Sequence, residues 1–235
     1  MNDKVNGFVL SIADYKEADV LMQVLTKEYG IISFVGKAAK RINSKNHFLP
    51  MCIYEFMFDY KDGKTIYSTH SSKIISNYFE DSDIDMMSFK NIFIEACLKN
   101  KEIDTYDQLT FVFEKLNKKN KYLLGAMFFT YLSKQFGITP VVDGCAICGE
   151  KKVIGISNYH GGFLCQKHLG GESILSVEKL KKFRMIIKSE FIHYDILNQF
   201  EYDFNDFKLV IDFFLTNADL KLKAYNFYEG LVWEK

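Results

Sequence analysis

Three cysteines and a histidine fall within 24 residues as Cys145-x2-Cys148, a gap of sixteen, then Cys165-x2-His168. An x2 spacing lets two ligands bite one tetrahedral ion from a tight turn, and zinc takes a Cys3His set readily. Two such pairs at ribbon-like separation predict one structural Zn2+ per chain on Cys145, Cys148, Cys165 and His168. Four protein ligands leave no open position for catalysis. Gly149, after the first pair, and Gly161-Gly162, before the second, are expected to let backbone amides approach the thiolates. His160 is the alternative fourth ligand, though it lacks the x2 geometry. The competing reading is three reduced thiols near a chance histidine. Cys52 and Cys97 stand alone among apolar residues and read as packed core thiols.

A second kind of chemistry is suggested by charge. No acid occurs between Glu28 and Glu55, while Lys37, Lys40, Arg41 and Lys45 give that window a local charge of +4. Its centre, Gly36-Lys37-Ala38-Ala39-Lys40-Arg41-Ile42-Asn43-Ser44-Lys45, offers small residues, cations and hydroxyl or amide groups suited to phosphates. Phe34, Tyr29 and His47 are the nearby rings that could stack on bases. Two further basic runs are secondary candidates: Lys115, Lys118, Lys119 and Lys121, and a second run that includes Lys179, Lys182 and Arg184. Either reads equally as a solvated helix face. Residues 190–219 carry seven acids and one lysine, so the net charge of zero hides a dipolar surface.

The elements that must position these groups change character near residue 80. Before it, Gly7–Ala13, Val20–Thr26, Ile31–Gly36, Met51–Tyr60 and Lys64–Ser71 read as strands, with hairpin turns at Lys27–Gly30 and at Lys61-Asp62-Gly63. Tyr54, Phe56, Phe58 and Tyr60 alternate to make one richly aromatic face. Five strands closed on themselves predict a small OB-fold barrel over residues 1–80. After it the period is helical. Ser82-Asp83 caps a helix running to Lys99 with Ile84, Met87, Ile92 and Ala96 inward, and helices follow at Thr105–Leu116 and Tyr122–Phe136. Others follow at Ser176–Ser189, Asn205–Thr216 and Ala218–Trp233. The expected class is α+β: a barrel, then a helical domain over 81–235 that contains the zinc segment 141–170.

Of the 235 residues 48% are hydrophobic and 26% charged, which excludes disordered, collagen-like and disulfide-framework classes. The apolar runs are too short to span a bilayer or to act as a signal peptide, so a cytoplasmic protein is expected. No phosphate loop, GxSxG or HExxH motif occurs, and His70 and His193 have no evident catalytic companions. Asp14, Glu17 and Asp19 form an acidic cluster that nothing marks as a metal site. The expectation is a protein that is not an enzyme.

The order of these parts resembles the bacterial RecO family of recombination mediators. The resemblance is carried by Val9-Leu10-Ser11-Ile12-Ala13-Asp14-Tyr15-Lys16-Glu17-Ala18-Asp19, by Leu25-Thr26-Lys27-Glu28-Tyr29-Gly30 and by the Gly-Lys-Ala-Ala-Lys-Arg loop. Cys-Ala-Ile-Cys-Gly and Gly-Gly-Phe-Leu-Cys-Gln-Lys-His match the family's zinc segment, with His168 where zinc-bearing members often have a fourth cysteine. The resemblance implies DNA repair without catalysis. It implies binding of single- and double-stranded DNA, annealing of complementary strands, and help in loading RecA onto strands coated by single-strand-binding protein. The implied partners are RecR, RecF, RecA and the acidic tail of single-strand-binding protein, in the nucleoid-associated cytoplasm. The rival reading is an RNA-binding OB module with a structural zinc ribbon. Strand annealing separates the two.

Overall fold

The structure, a computed structural model, describes residues 3–44, 47–79 and 83–233. The chain divides into two compact units, one made of the sequence up to Glu114 with the segment from Ala224 onward, the other spanning Lys115–Lys223.

In the first unit, β1 (Asp3–Tyr15), β2 (Asp19–Thr26) and β3 (Gly30–Gly36) form an antiparallel meander, with Val9 opposite Val24 and Val24 opposite Ile32. β4 (Cys52–Phe58) pairs with the first part of β1, placing Phe8 opposite Ile53. β5 (Ile66–Ser68) then runs parallel to β3, and β6 (Ser71–Asn77) runs antiparallel to β4. Among the described residues the sheet is six-stranded, ordered β5-β3-β2-β1-β4-β6. This corrects the closed five-stranded barrel. The expected last strand, Lys64–Ser71, contracts to β5, an unexpected β6 follows Thr69-His70, the two pair at opposite ends of the sheet, and no ladder joins β5 to β6.

Period-two alternation sends Val20, Met22 and Val24, Phe34, and Tyr54, Phe56 and Phe58 to one buried face. The aromatic face of β4 is therefore core: the Phe34 ring stacks on Phe56 at 4.6 Å and meets Phe58 edge-on at 5.0 Å.

Helix α1 (Ile84–Lys99) starts at Asp83, whose carboxylate accepts from the Asp85 amide at 2.9 Å. It buries Phe89, Ile92, Phe93 and Ala96, whereas Ile84, expected inward, is 65% exposed because it lies on the first turn's outer side. Ser82 lies outside the described residues. Helix α2 (Tyr106–Lys115) follows, tied to the β2–β3 turn by Lys27 and Asp107 at 2.7 Å.

In the second unit α3 (Lys121–Gln135) is buried on nearly all sides. After it come the two-stranded β7 (Val153–Ser157) and β8 (Gly162–Cys165), then α4 (Val177–Lys188), capped by Ser176. A 3-10 turn at Phe191–His193 leads to the short α5 (Tyr194–Leu197), and α6 (Phe204–Asn217) packs on α3, with Phe129 and Phe214 rings 5.5 Å apart. The expected helix from Ala218 begins only at Lys223. Asp219 takes φ 51° and the Leu220 amide closes back on the Leu215 carbonyl, so residues 218–222 form a turn. The resulting α7 (Lys223–Trp233) belongs to the first unit, where the Ala224 amide donates to Glu95 and Tyr228 meets Phe89 at 5.0 Å. Among the described residues no helix is long and apolar enough to cross a membrane.

Candidate metal centre and nucleic-acid surface

The two cysteine pairs sit on two backbone turns. In the first, the Gly149 amide donates to the Cys145 carbonyl at 2.8 Å and the Cys145 amide to Glu150 at 2.9 Å. Gly149 has φ 76°, a conformation glycine enters freely. In the second, at the end of β8, the His168 amide donates to the Cys165 carbonyl at 3.0 Å. Gly162 serves the fold rather than the thiolates: a Cβ there would collide with the Val141 carbonyl that β8 lies against.

Together the turns bring the ligand atoms of Cys145, Cys148, Cys165 and His168 within 4.8 Å of one another. Zn–S bonds of about 2.3 Å and a Zn–N bond of about 2.0–2.1 Å imply tetrahedral edges of roughly 3.8 Å (S to S) and 3.5 Å (S to N). The Cys148 and Cys165 sulfurs are 3.8 Å apart, and His168 Nδ1 lies 3.5 Å from Cys145 Sγ and 3.4 Å from Cys165 Sγ. These are zinc-sized edges, and the group could hold a metal ion. His160 is exposed on the β7–β8 turn with its ring against Tyr159, outside the cluster. Desolvation pushes the Cys145 thiol up, but donors from Cys165, Cys148 and Ile147 and the His168 ring outweigh it and bring the group to about 6. The Cys148 thiol is raised: the Glu150 amide favours its thiolate, but desolvation and the adjacent Cys145 and Cys165 sulfurs prevail. Cys52 and Cys97 are buried in the first unit, and burial pushes Cys97 to about 12 despite its bond to Thr105.

The basic loop leaves β3 through Gly36, where a Cβ would press within 2.6 Å of the Phe48 ring. The loop is fixed from the β1–β2 turn. Asp19 accepts from the Ala38 amide at 2.8 Å, and the Lys40 amide donates to the Ala18 carbonyl at 3.0 Å. Lys37, Lys40 and Arg41 are exposed, and Lys40 pairs with Asp14 at 3.0 Å. Among the described residues Lys37 and Arg41 make no ion pair. Lys45 lies outside the described residues.

Two of the three rings expected to stack on bases do not line this loop. Phe34 is fully buried in the core. Tyr29 stands at the opposite end of β3, about 20 Å away at roughly 3.3 Å per residue, stacked on Tyr60 at 4.6 Å. His47 is exposed just beyond the loop.

The secondary basic runs are altered by their neighbours. Lys115, Lys118 and Lys119 are exposed around a turn held by Asn117 and Asn120, but Lys121 is buried with its ammonium 4.9 Å from the Tyr122 ring. Lys179 pairs with Asp203 at 3.1 Å and Asp206 at 3.2 Å, and Lys182 with Glu178 at 3.2 Å. Arg184 and Lys188 share Asp143, each at 2.6 Å. These cations are largely neutralised within their own unit. Sequence reading missed Asp19 as the loop's anchor, although the acidic cluster after β1 was its visible signal, and missed Asp143 and Asp206, which lie far along the chain from the cations they neutralise.

The sequence profile described as Recombination protein O N terminal matches residues 1–78, and that described as Recombination protein O C terminal matches residues 93–181. The chain belongs to the RecO family. Similar relatives are the DNA repair protein RecO of Bacillus mycoides (strain KBAB4), 26% identical over 72% of this chain and 71% of that protein, and of Exiguobacterium sibiricum, 25% identical over the same shares. The DNA repair protein RecO of Bacillus cytotoxicus is 26% identical, again over 72% of this chain. Membership and these names support a role in DNA repair.

Proposed function

We propose that this chain is a recombination mediator of DNA repair that works without catalysis. It binds single- and double-stranded DNA, anneals complementary strands and, with RecR and RecF, helps load RecA onto strands coated by single-strand-binding protein in the nucleoid-associated cytoplasm. Residues 1–80 carry the DNA contacts. Residues 81–235 carry the helical region, in which segment 141–170 is braced by one structural zinc on Cys145, Cys148, Cys165 and His168. The group holds the two turns together and supplies no reaction step, since all four donors come from the protein.

The observation that carries this reading is the loop fixed by Asp19, from which Lys37 and Arg41 project with no ion pair among the described residues. Cations of this kind contact phosphates and leave base edges free. From 37 to 44 the exposed side chains are cations, Ile42 and Asn43, with no ring to hold a base, so a bound strand stays available to its complement. A stacking groove would instead sequester it. For the acidic tail of single-strand-binding protein we assign the recess of about 220 Å3 between β7 and α4, lined by Val142, Val153 and Leu180, by Lys151, Lys152 and Lys181, and by Asp143, whose charge Arg184 and Lys188 take up.

The test is annealing of complementary strands coated by the cognate single-strand-binding protein, without ATP. Coated strands should anneal, and deleting the acidic tail should weaken the effect. If coated strands never anneal at any stoichiometry, the mediator reading gives way to RNA binding.

A further inference from the structure

A structural zinc site fills all four positions with protein ligands. Here one of those ligands, Cys148, faces solvent. Cys148 is exposed and lines a recess of about 530 Å3 beside Ile154, Lys152 and Lys167; Cys165, buried at 2% exposure, lines the same recess. The Cys148 and Cys165 sulfurs are neighbours, 3.8 Å apart. The centre thus places an exposed sulfur next to a second that can resolve it, the arrangement that makes thiols susceptible to oxidation. The remaining cysteines, Cys52 and Cys97, are buried.

Resting on the metal reading above, we propose that Cys148 and Cys165 are a peroxide-reactive pair whose conversion to a disulfide empties the centre. Cys148 sulfur attacks one oxygen of hydrogen peroxide. The O–O bond breaks, hydroxide leaves and a sulfenic acid forms. Cys165 sulfur then attacks the sulfenic sulfur, the S–O bond breaks and a second hydroxide leaves. Two protons from solvent convert both hydroxides to water. The two sulfurs lose two electrons in total and the peroxide gains them. Only Cys145 and His168 then remain as donors, too few to retain a zinc ion. The buried cluster beside them is small, Cys145, Leu164 and Cys165 with Val153 against it, so the turns loosen when the centre empties.

The experiment uses the full reduced chain, with zinc content measured first, then titrated with hydrogen peroxide in the presence of a chromophoric zinc chelator. Peptide mapping by mass spectrometry identifies the disulfide. One zinc should be released per chain in step with the loss of two thiols, the disulfide should join Cys148 to Cys165, and both should react at least ~10-fold faster than Cys52 or Cys97. Dithiothreitol with added zinc should restore the loaded state. A reduced chain that takes up no zinc overturns the metal reading and this proposal with it. Full loading with thiols that stay intact while glutathione in the same solution oxidises overturns this proposal alone, as does a first disulfide that joins Cys145 or either buried cysteine.

Discussion

Removing the metal with a chelator should release the two knuckle turns and leave the sheet of the first unit folded. The turns Cys145–Gly149 and Cys165–His168 order nine residues. At ~1–2 kcal/mol for each backbone fixed, that costs on the order of 10 kcal/mol. The buried cluster beside them consists of Cys145, Leu164 and Cys165 with Val153 packed against it. One fully buried leucine returns only about 1.5–3 kcal/mol, and an isolated two-stranded hairpin is marginal in water. The deficit is what a structural zinc ion covers, with apparent binding of about 10–16 kcal/mol in small zinc peptides. Hydrogen exchange is the assay. The amides of Cys145, Ala146, Gly149 and His168, all hydrogen-bonded within the segment, should lose protection by ~10³ if about 4 kcal/mol of local stability goes. Strand β8 should keep part of its protection, because Phe163 packs on Phe183 at 5.9 Å and the Leu175 amide donates to the Ile154 carbonyl at 2.9 Å. If the knuckle amides stay protected after elemental analysis shows the metal gone, the centre does not hold the turns.

Neutralising Lys37, Lys40, Arg41 and Lys45 should weaken DNA binding without unfolding the sheet, and the salt slope should fall by about 0.7 for each phosphate left unneutralised on single strands. Lys40→Ala alone should cost less than Arg41→Ala, because Lys40 already shares Asp14; an unchanged slope in the quadruple variant would move the DNA site to the exposed Lys115–Lys119 turn. Zinc affinity should rise with pH through the raised Cys148 titration, since binding needs the thiolate, and Cys145 should add pH dependence only below about 6; competition against a chelator of known affinity across pH 5–10 would measure it. Asp203→Ala removes the cap of α6 and should cost about 1 kcal/mol in denaturant melts near neutral pH. Burial pushes Asp203 up, but the Asp206 amide and Lys179 outweigh it and hold the carboxyl below its ordinary 3.8, so its contribution is present above that value and disappears as the pH falls through the depressed one. A deficit that persisted in strong acid would show that the cap is not acting through its charge.

The sheet was legible wherever a local period ran uninterrupted. Alternation over 53–60 marked β4, and Asp62-Gly63 marked the turn after it. What the sequence did not show was β6, because the strand partner changes across Thr69-His70: Phe34 lies opposite Tyr67, and Met57 opposite Ser71. The start of α7 failed for a related reason. Residues 218–222 have ordinary helical composition, and only the left-handed Asp219 and the closure onto Leu215 show that α6 has ended. Phe34 was nominated for stacking by its closeness to the basic loop in sequence, yet the alternation that identifies β3 also sends it to the core with Met22 and Val24.

The metal centre was more legible than the DNA surface because a short ligand spacing constrains geometry by itself, whereas a charge run acquires meaning only from what folds beside it. Lys179, Lys182 and Arg184 look in sequence much like Lys37, Lys40 and Arg41. In the second unit acids brought from Asp143, Asp203 and Asp206 absorb the former. In the loop, a window without an acid from 29 to 54 leaves Asp14 as the partner for Lys40, and Asp19 spends its carboxylate on a backbone amide instead of on a cation. A chain of zero net charge that presents unpaired cations on an anchored loop attracts a polyanion at short range and exerts little long-range pull. On the mediator reading proposed above, that suits a protein that grips a strand, lets it pair and then leaves the duplex. A uniformly basic surface would hold the product by the same counterion release that captured the strand. On that reading the carboxylates around the second unit's cations bear on function as well as stability. Asp143→Asn, which leaves Arg184 and Lys188 without their shared partner, should slow release of annealed duplex at low salt while leaving strand capture by the loop intact.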